Sequence, residues 1–521
     1  MKKRSNKTFP LLYWRRIAQT LFLLLFLVLF RLTDYKGEDQ IPYAVNIFFR
    51  LDPLVAAAAM LAARALISLL LLSLIVIGLT LILGRFFCGW FCPLGTLLDL
   101  FQTVSPLKKE KSNVRRRNWK YLLLGFILLS AFLGFPVVGY FDPFSLLVRG
   151  MTLSVDPFFN YTVGSFFDFL YRHGPSFLSQ ISESIYSFFK DTLLAYNQKF
   201  FYLSLLSLLI LIAIFALERI ERRFWCKNLC PLGGLLALLS RFSWLRGHIQ
   251  TSCRGCRVCT QICRMEAIDQ TGGIASADCN LCLDCLHLCP DKAISFAFKK
   301  PEQRPVPLGI SRRVFIGTLS SALILPTFLK VRAETKNPDP TLIRPPGAIK
   351  ENFFLDRCVR CGECMKVCIN NALQPCWLEA GMEGLFSPRL VPRIGYCEFN
   401  CTLCGQVCPT GAIAKLPLKE KQKTVIGRAY FDRNRCLPYA QGTPCIVCEE
   451  HCPTPEKAIK FREALVMNPE GKMVTIKQPY ILESLCIGCG ICENKCPLEG
   501  KAGVLVINNP EGMVLSKIAM F

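Results

Sequence analysis

Apolar residues are concentrated in the first 220 positions, where they form four long stretches. These lie at 17–30, extended by its flanks, and at 65–83, 121–138 and 201–217. Such stretches are typical of membrane-spanning helices. The apolar segment 53–63 is interrupted at Arg64, and we expect it to form a helix at the membrane interface.

The charges between these stretches predict an orientation. Segments 85–120 and 218–250 carry eight and six basic residues against two acidic residues each. Segments 33–52 and 139–200 carry two and four basic residues against four and five acidic ones. Basic loops stay in the cytoplasm, so we expect a cytoplasmic N-terminus in a bacterial inner membrane. In a chain embedded in membrane lipid, the net charge of +24 reflects these basic cytoplasmic loops rather than nucleic-acid binding.

Three further regions follow this predicted membrane domain, which we assign to 1–247. A cysteine-rich cytoplasmic module covers 248–298, a linker covers 299–347, and a second cysteine-rich domain covers 348–521.

The linker contains the run SRRVFI at 311–316, which resembles a twin-arginine export signal, before an apolar run at 314–329. We expect this segment to remain as an anchor that places the last domain in the periplasm. The alternative is an ordinary basic flank, with that domain kept inside.

The 29 cysteines are the strongest indication of function in the sequence. Their odd number and their CxxC spacing favour metal ligation over disulfides. Six quartets and two CxxxCP pairs account for all of them except Cys376, which we expect to be buried without a metal.

Two quartets in the 248–298 module follow the CxxCxxCxxxC spacing of bacterial two-cluster ferredoxins. In that pattern the fourth cysteine of each run binds the other cluster. One 4Fe–4S cluster is therefore assigned to Cys253, Cys256, Cys259 and Cys289, and a second to Cys279, Cys282, Cys285 and Cys263.

The last domain contains four more quartets, two of which have a longer first loop. They are Cys358, Cys361, Cys364, Cys368; Cys397, Cys401, Cys404, Cys408; Cys436, Cys445, Cys448, Cys452; and Cys486, Cys489, Cys492, Cys496. The spacing does not say which of them exchange their fourth ligands. Alanine and an aliphatic residue recur after the quartets, which predicts a short strand sealing each cluster. Zinc prefers two separated pairs of ligands, so six 4Fe–4S clusters are favoured.

The two CxxxCP motifs contain Cys88 with Cys92 and Cys226 with Cys230. Their repetition indicates two related halves, and the i, i+4 spacing would place each pair on one helical face. Four such thiols could bind one metal or cluster, act as redox thiol pairs, or simply pack in a structural turn.

Other cofactors have no sequence support. None of the four histidines lies in a predicted span, and CxxCH, G-x-G-x-x-G and P-loop motifs are lacking. We therefore expect neither haem nor a nucleotide.

These motifs carry a family resemblance. Residues 1–300, with four spans, two CxxxCP motifs and a two-cluster module, resemble the NapH/MauN type of membrane ferredoxin. Residues 311–521, with the twin-arginine run, the RPPGA lead-in at 344–348 and four quartets, resemble the NapG/MauM type. The resemblance implies quinol oxidation coupled to electron delivery outside the cytoplasm.

The sequence therefore predicts an α-helical membrane domain carrying α+β bacterial-type dicluster ferredoxin modules. Its predicted function is electron transfer between the quinone pool, or a cytoplasmic donor, and a periplasmic redox enzyme or cytochrome, without a substrate-reducing site of its own. One alternative is an accessory protein that assembles a partner metalloenzyme or keeps it reduced. A redox-driven ion pump subunit is disfavoured, because Arg64 is the only charge near a span interior.

Overall fold

The structure is a computed structural model of the chain. It describes residues 9–104, 116–269, 273–299, 311–334, 339–467 and 470–508.

Within the described residues, thirteen α-helices form the N-terminal region, which we call the helical domain. They are α1 Phe9–Leu32, α2 Ile47–Arg50, α3 Pro53–Ala63, α4 Ser73–Leu83, α5 Phe86–Trp90, α6 Pro93–Val104, α7 Trp119–Phe132, α8 Val138–Phe141, α9 Pro143–Gly150, α10 Asp156–His173, α11 Ser176–Thr192, α12 Ser204–Leu217 and α13 Pro231–Ser240.

Two related halves are visible in how these helices begin. An Asp-Pro pair starts α3 and α9, where the carboxylates of Asp52 and Asp142 accept hydrogen bonds from Leu54 N at 2.7 Å and Ser145 N at 2.8 Å. A Cys-Pro pair starts α6 and α13 in the same way. Proline suits the first helical position because it lacks an N–H that the helix could not use there.

Helix α3 lies in the interior, and the expectation of an interfacial helix was wrong. Its residues Leu54, Val55, Ala58 and Ala59 are almost fully buried, and α4, α7, α13 and α17 (Glu351–Arg357) pack around it. Four consecutive alanines present so little side-chain volume that neighbouring helices can approach on every side. Arg64 ends the helix in a left-handed conformation, with φ of 49°.

The predicted spans correspond only in part to long helices. Helix α1 covers the first with 24 residues, whereas α4, α7 and α12 have 11, 14 and 14 residues. Within the described residues, none of the helices combines the length and the apolar character needed to cross a membrane.

Two cysteine-rich units follow the helical domain. The first unit contains β1 Leu245–Ile249, α14 Val258–Ile262, α15 Asp284–Leu288 and β2 Ile294–Phe298. Helix α16, Arg312–Glu334, continues through Pro326 and packs alongside α7. The second unit contains α17 Glu351–Arg357, α18 Glu363–Val367, β3 Leu373–Pro375, β4 Pro388–Leu390, α19 Leu403–Val407, α20 Leu418–Lys421, β5 Arg428–Phe431, α21 Leu437–Ala440, α22 Val447–Glu450, β6 Ile459–Met467, β7 Met473–Ile481, α23 Ile491–Asn494 and β8 Val504–Ile507.

Each described sheet has two antiparallel strands, paired as β1–β2, β3–β4, β5–β8 and β6–β7. The β1–β2 pair brackets the whole first unit, with Leu245 opposite Phe298 and Ile249 opposite Ile294. Strand β8 returns to β5 across two quartets, with Phe431 opposite Val504. Both units are therefore closed by strands that are distant in sequence.

The two cysteine-rich units lie at opposite ends of α1. Near its start, Arg15 Nη1 donates to the carbonyl of Cys282 in the first unit at 2.8 Å. Just beyond its end, Asp34 pairs with Lys366 of the second unit at 2.6 Å. From Arg15 to the end of α1 at Leu32, 17 residues of helical rise separate the two ends by about 25 Å.

Helix α7 shows the same arrangement. At its start, Lys120 pairs with Asp278 of the first unit at 2.8 Å. Beyond its end, the carbonyl of Pro136 accepts from Arg360 of the second unit at 2.7 Å. The helical domain is therefore held between the two units.

A buried ion cluster fastens the second unit to the helical domain. Lys366 Nζ lies 2.6 Å from Asp34 and 2.9 Å from Asp156, and Lys199 lies 3.4 Å from Asp34. Arg31 also pairs with Asp156. These groups come from four separate segments, so the cluster forms only when those segments have assembled.

We expect Asp34→Ala to destabilise the cluster-loaded chain by roughly 3–5 kcal/mol, because it leaves buried ammonium groups without a partner. Denaturant unfolding followed by tryptophan fluorescence would measure this. Asp168→Ala is the matched control, since its pair with Arg172 is 56% and 68% exposed, and it should change stability by less than about 0.5 kcal/mol. Equal effects of the two variants would contradict a structural role for the buried cluster.

Candidate iron–sulfur centres

The quartets with simple spacing share one backbone geometry. In each, the residues before and after the second cysteine have positive φ. These pairs are Gly255 and Arg257, Leu281 and Leu283, Arg360 and Gly362, and Gly488 and Gly490. Leucine and arginine adopt this conformation only at a cost, so the turn itself must require it. Alternating right- and left-handed residues direct backbone N–H groups into one concavity, which suits an anionic cluster.

The two quartets with a longer first loop differ at this point. Thr402 and Ile446 follow their second cysteines with φ of −125° and −124°. The extra residues of the first loop thus replace the left-handed turn.

Backbone amides after the quartets donate to the last cysteine. Ala267 N lies 3.3 Å from Cys263 Sγ, Ile413 N lies 3.4 Å from Cys408 Sγ, and Gly503 N lies 3.3 Å from Cys496 Sγ. The recurring alanines are all buried: Ala267, Ala293, Ala372, Ala412, Ala458 and Ala502. A strand follows four of the quartets, whereas single bridges at Ile268 and Ile413 follow the other two.

In the second unit, the fourth cysteine of each of the first two quartets lies beside the cysteines of the other quartet, as ligand exchange would require. The pKa of Cys364 lies well above its ordinary value. Burial is the largest cause, and the nearby thiols of Cys361, Cys358 and Cys408 add to it. Burial raises the pKa of Cys401 to about 12, with contributions from the thiols of Cys368 and Cys397. Cys408 therefore joins the set of the first quartet, and Cys368 joins the second.

The cysteines of the last two quartets are interleaved in the same way. Burial raises the pKa of Cys436 to about 12, and the nearby thiols include Cys445 and Cys496. Burial raises the pKa of Cys489 to about 11, and the nearby thiols there are Cys486 and Cys452.

Two cavities independently support this exchange, because four thiols line each of them. One is lined by Cys368, Cys397, Cys401 and Cys404. The other is lined by Cys452, Cys486, Cys489 and Cys492. In both, one lining thiol belongs to the neighbouring quartet.

The first unit brings Cys263 to the other quartet, as the two-cluster spacing predicts. Burial raises the pKa of Cys285, and the thiols of Cys282, Cys279 and Cys263 add to the effect. Cys253 and Cys256 lie near Cys259 and are exposed, so this site is the more open one. Cys289 remains the predicted fourth ligand there.

The donor chemistry of these sets fits 4Fe–4S cubes. All 29 cysteines are free, so none is used in a disulfide. In the described parts of the chain, no group of three or more His, Cys, Asp or Glu residues is arranged to hold a metal ion. A cube places its four thiolates on four different irons, farther apart than one ion allows. Iron binding would displace the protons that these buried thiols otherwise retain.

The four thiols of the CxxxCP motifs meet at a single place inside the helical domain. Cys92, Cys226 and Cys230 are buried and Cys88 is partly buried. Burial raises the pKa of Cys230 well above its ordinary value, and the thiols of Cys226, Cys88 and Cys92 contribute. The four-thiol site, as we call this group, joins both halves of the helical domain.

Each CxxxCP pair is interrupted by a helix break, so the expectation of one helical face was wrong. Cys88 lies in α5, whereas Cys92 follows that helix and precedes α6. Cys230 caps α13 with an extended backbone, and its sulfur accepts from Gly233 N at 3.2 Å. The proline after each second cysteine starts a new helix instead of continuing the first.

A buried charge network that the sequence analysis missed surrounds this site. Arg223 makes two hydrogen bonds to Asp99, at 2.9 and 2.7 Å, and Arg15 lies 3.3 Å from both Asp99 and Asp284. Burial raises the pKa of Asp99, but Arg223 and its neighbours outweigh burial and hold it below its ordinary value. The sequence feature that could have indicated this network is an arginine three positions before the first cysteine of each CxxxCP motif.

Cys376 is fully buried beside Leu342 and Ala380, with Arg344 Nη1 at 3.8 Å from its sulfur. It belongs to none of the four-cysteine sets.

Sequence comparisons agree with these centres. A 4Fe–4S binding domain family, Fer4_5, matches residues 65–120 and 200–252, which include the CxxxCP motifs. The NosR family matches residues 251–304. A second 4Fe–4S binding domain family, Fer4, matches residues 352–374 and 479–499.

Several curated proteins are similar to part of the chain. The ferredoxin-type protein NapG of Escherichia coli is 34% identical over 180 residues, covering 33% of this chain and 74% of NapG. The methylamine utilization ferredoxin-type protein MauM of Methylorubrum extorquens is 35% identical, covering 33% and 74%. MauM of Methylobacillus flagellatus is 31% identical, covering 42% and 88%. No solved structure matches.

The repeated thiol sets and the matching 4Fe–4S domains define an iron–sulfur electron-transfer protein of the ferredoxin type. The chain belongs to the family of ferredoxin-type proteins that includes NapG and MauM. That relationship covers about a third of its length.

Ligand exchange makes a testable prediction for pairs of cysteine variants. Cys408→Ser alone should remove about four irons, and adding Cys361→Ser should remove no more, because both serve one cube. Combining Cys408→Ser with Cys401→Ser should instead remove about eight.

Iron and sulfide analysis of anaerobically purified protein would measure these losses. If each quartet holds its own cube, the results for the two double variants would be reversed.

Proposed function

We propose that this chain conducts electrons across a bacterial inner membrane through six 4Fe–4S clusters. Two clusters would belong to the first unit and four to the second. The observation that carries the proposal is the position of the two units at opposite ends of the helical domain, about 25 Å apart along α1. A single bilayer core is about 30 Å thick.

Exposed apolar side chains favour a lipid environment for the helices between the units. Helix α1 exposes Leu21, Leu24 and Val28, and α4 exposes Leu74 and Ile75. On α12 the exposed residues are Leu205, Leu209 and Ile212. Apolar surface on several neighbouring helices is unusual for a protein surrounded by water.

The charge distribution favours the first unit as the cytoplasmic one. The basic segments 85–120 and 218–250 lie at its end of the helical domain, where Lys120 contacts Asp278. The segment 33–52, with more acidic than basic residues, lies at the other end, where Asp34 contacts Lys366. The second unit would then be periplasmic, with the twin-arginine run at the start of α16 directing its export.

The partners follow from this arrangement and from the relatives. A quinol, or a cytoplasmic donor, would supply electrons, and a periplasmic redox enzyme or cytochrome would receive them. The chain would thus combine a NapH/MauN-type membrane part with a NapG/MauM-type part. A bound cube accepts and releases one electron at a time, and the residues described here position the cubes rather than reduce a substrate.

Reporter fusions test the topology. A reporter fused at residue 521 should be active only in the periplasm, and one fused at residue 1 only in the cytoplasm, because the proposed path crosses the bilayer once. Cytoplasmic activity of both fusions would place the two units on one side and remove the transmembrane path.

Rapid mixing with duroquinol tests the donor. We expect the visible absorbance of the oxidised clusters to bleach within milliseconds to seconds, because a quinol donor must reach the cluster path directly. Duroquinone should cause no bleaching. If dithionite bleaches the same sample and duroquinol does not, the chain does not accept electrons from quinol.

A further inference from the structure

The four-thiol site has features that a structural turn would not require. We propose that Cys88, Cys92, Cys226 and Cys230 together hold a seventh 4Fe–4S cluster, and that Arg85 is the positioning residue that balances its negative charge. This inference goes beyond the six-cluster path and depends neither on the membrane topology nor on the identity of the donor.

The two motifs hold each other in a reciprocal manner. Arg223 of the second motif donates to the carbonyls of Cys88 at 3.1 Å and Gly95 at 3.2 Å in the first. Arg85 of the first motif lies against Gly233 of the second, where a Cβ would stand 2.9 Å from its Nη2. Two thiols from each half are thereby directed to a common centre.

Arg85 is the observation that indicates an anion. Its side chain is fully buried, and Nη1 donates to the carbonyl of Ala277 at 3.1 Å. Its Nε and Nη2 have no hydrogen-bond partner within the described residues. A buried guanidinium with two unsatisfied donors is costly, and a negatively charged group beside it would remove that cost. Cys88, Asp278 and Cys230 are close enough to act on Arg85 electrostatically, but Asp278 forms its ion pairs with Lys120 and Arg117.

The counterpart of Arg85 does not have this property. Arg223 is equally buried, but Asp99 and two carbonyls bind its guanidinium. The two related arginines therefore differ in role. Arg223 fastens the motifs together, and Arg85 keeps free donors beside the thiols.

The site lies directly against a cluster loop of the first unit. A Cβ at Gly89 would stand 2.1 Å from the carbonyl of Asn280, so only glycine permits this approach. Trp90 Nε1 donates to the carbonyl of Leu281 at 3.1 Å. A redox centre at the four thiols would thus adjoin the site of Cys279, Cys282, Cys285 and Cys263.

A cluster at the four-thiol site would extend the electron path toward the second unit, because this site lies within the core of the helical domain. Cys92, Cys226 and Cys230 belong to the same hydrophobic core as Cys361, a proposed ligand in the second unit. The seventh cluster would therefore lie between the two groups of clusters.

A cube fits the site better than the other readings. None of the four cysteines is paired in a disulfide. Like the six other sets, they are not arranged to hold a metal ion. The four-thiol site thus shares its donor type and number with the sets assigned to cubes.

The test uses the full chain, reconstituted anaerobically with iron and sulfide. The variant Cys88→Ser/Cys226→Ser removes one thiol from each motif, and Cys376→Ser is the control because Cys376 belongs to no set. We expect the double variant to lose about four irons relative to both the wild type and the control. Unchanged iron, or loss of copper instead of iron, would overturn the proposal.

A second variant keeps the test decisive if the double variant does not fold. Arg85→Gln should retain all the iron but shift the midpoint potential of one EPR-detected cluster to a more negative value, because a buried positive charge is lost. Arg85→Lys should restore part of the shift. Arg172→Gln is the control, since Arg172 is exposed, pairs with Asp168 at 3.0 Å and lies in α10, outside both cysteine-rich units. Potentials unchanged from wild type in Arg85→Gln would contradict the assigned role.

Discussion

A cysteine in an apolar interior favours the protonated thiol, whereas iron binds the thiolate. Wherever the chain buries a set of cysteines, it must therefore supply donors or positive charge. The turns around Leu281 and Gly362 direct amides inward, and the amides of Ala267 and Gly503 bond to sulfur. Much of the local backbone, including left-handed leucines and arginines, follows from this requirement.

The same constraint explains why charged side chains are buried at both ends of the helical domain. At one end Arg15, Arg223 and Asp99 hold the CxxxCP motifs against the first unit. At the other end Lys366 joins Asp34 and Asp156 beneath the second unit. Because these contacts are long-range, they fix the position of each unit on the helices. Paired charges of this kind tolerate burial only when every partner is present.

The spacing of the cysteines predicted the six sets, and the order of apolar and cysteine-rich segments predicted two units joined to a helical region. The sequence also indicated two related halves. It was not sufficient for ligand exchange in the second unit, because which thiols meet depends on how β5 and β8 close the chain. The burial of α3 was missed because an alanine-rich segment looks the same at an interface and in a core. The role of Arg85 depends on unsatisfied donors, which only a three-dimensional arrangement reveals.

Each exchanging pair in the second unit combines one loop with the left-handed turn and one loop without it. Arg360 and Gly362 mark the first kind, and Thr402, with its ordinary φ, marks the second. Two cubes bound in such a pair would be enclosed by different numbers and directions of amide dipoles and would differ in potential, since such contacts set the potential of a cluster. Each pair in the second unit would then be an asymmetric couple, although the cysteine motif is repeated.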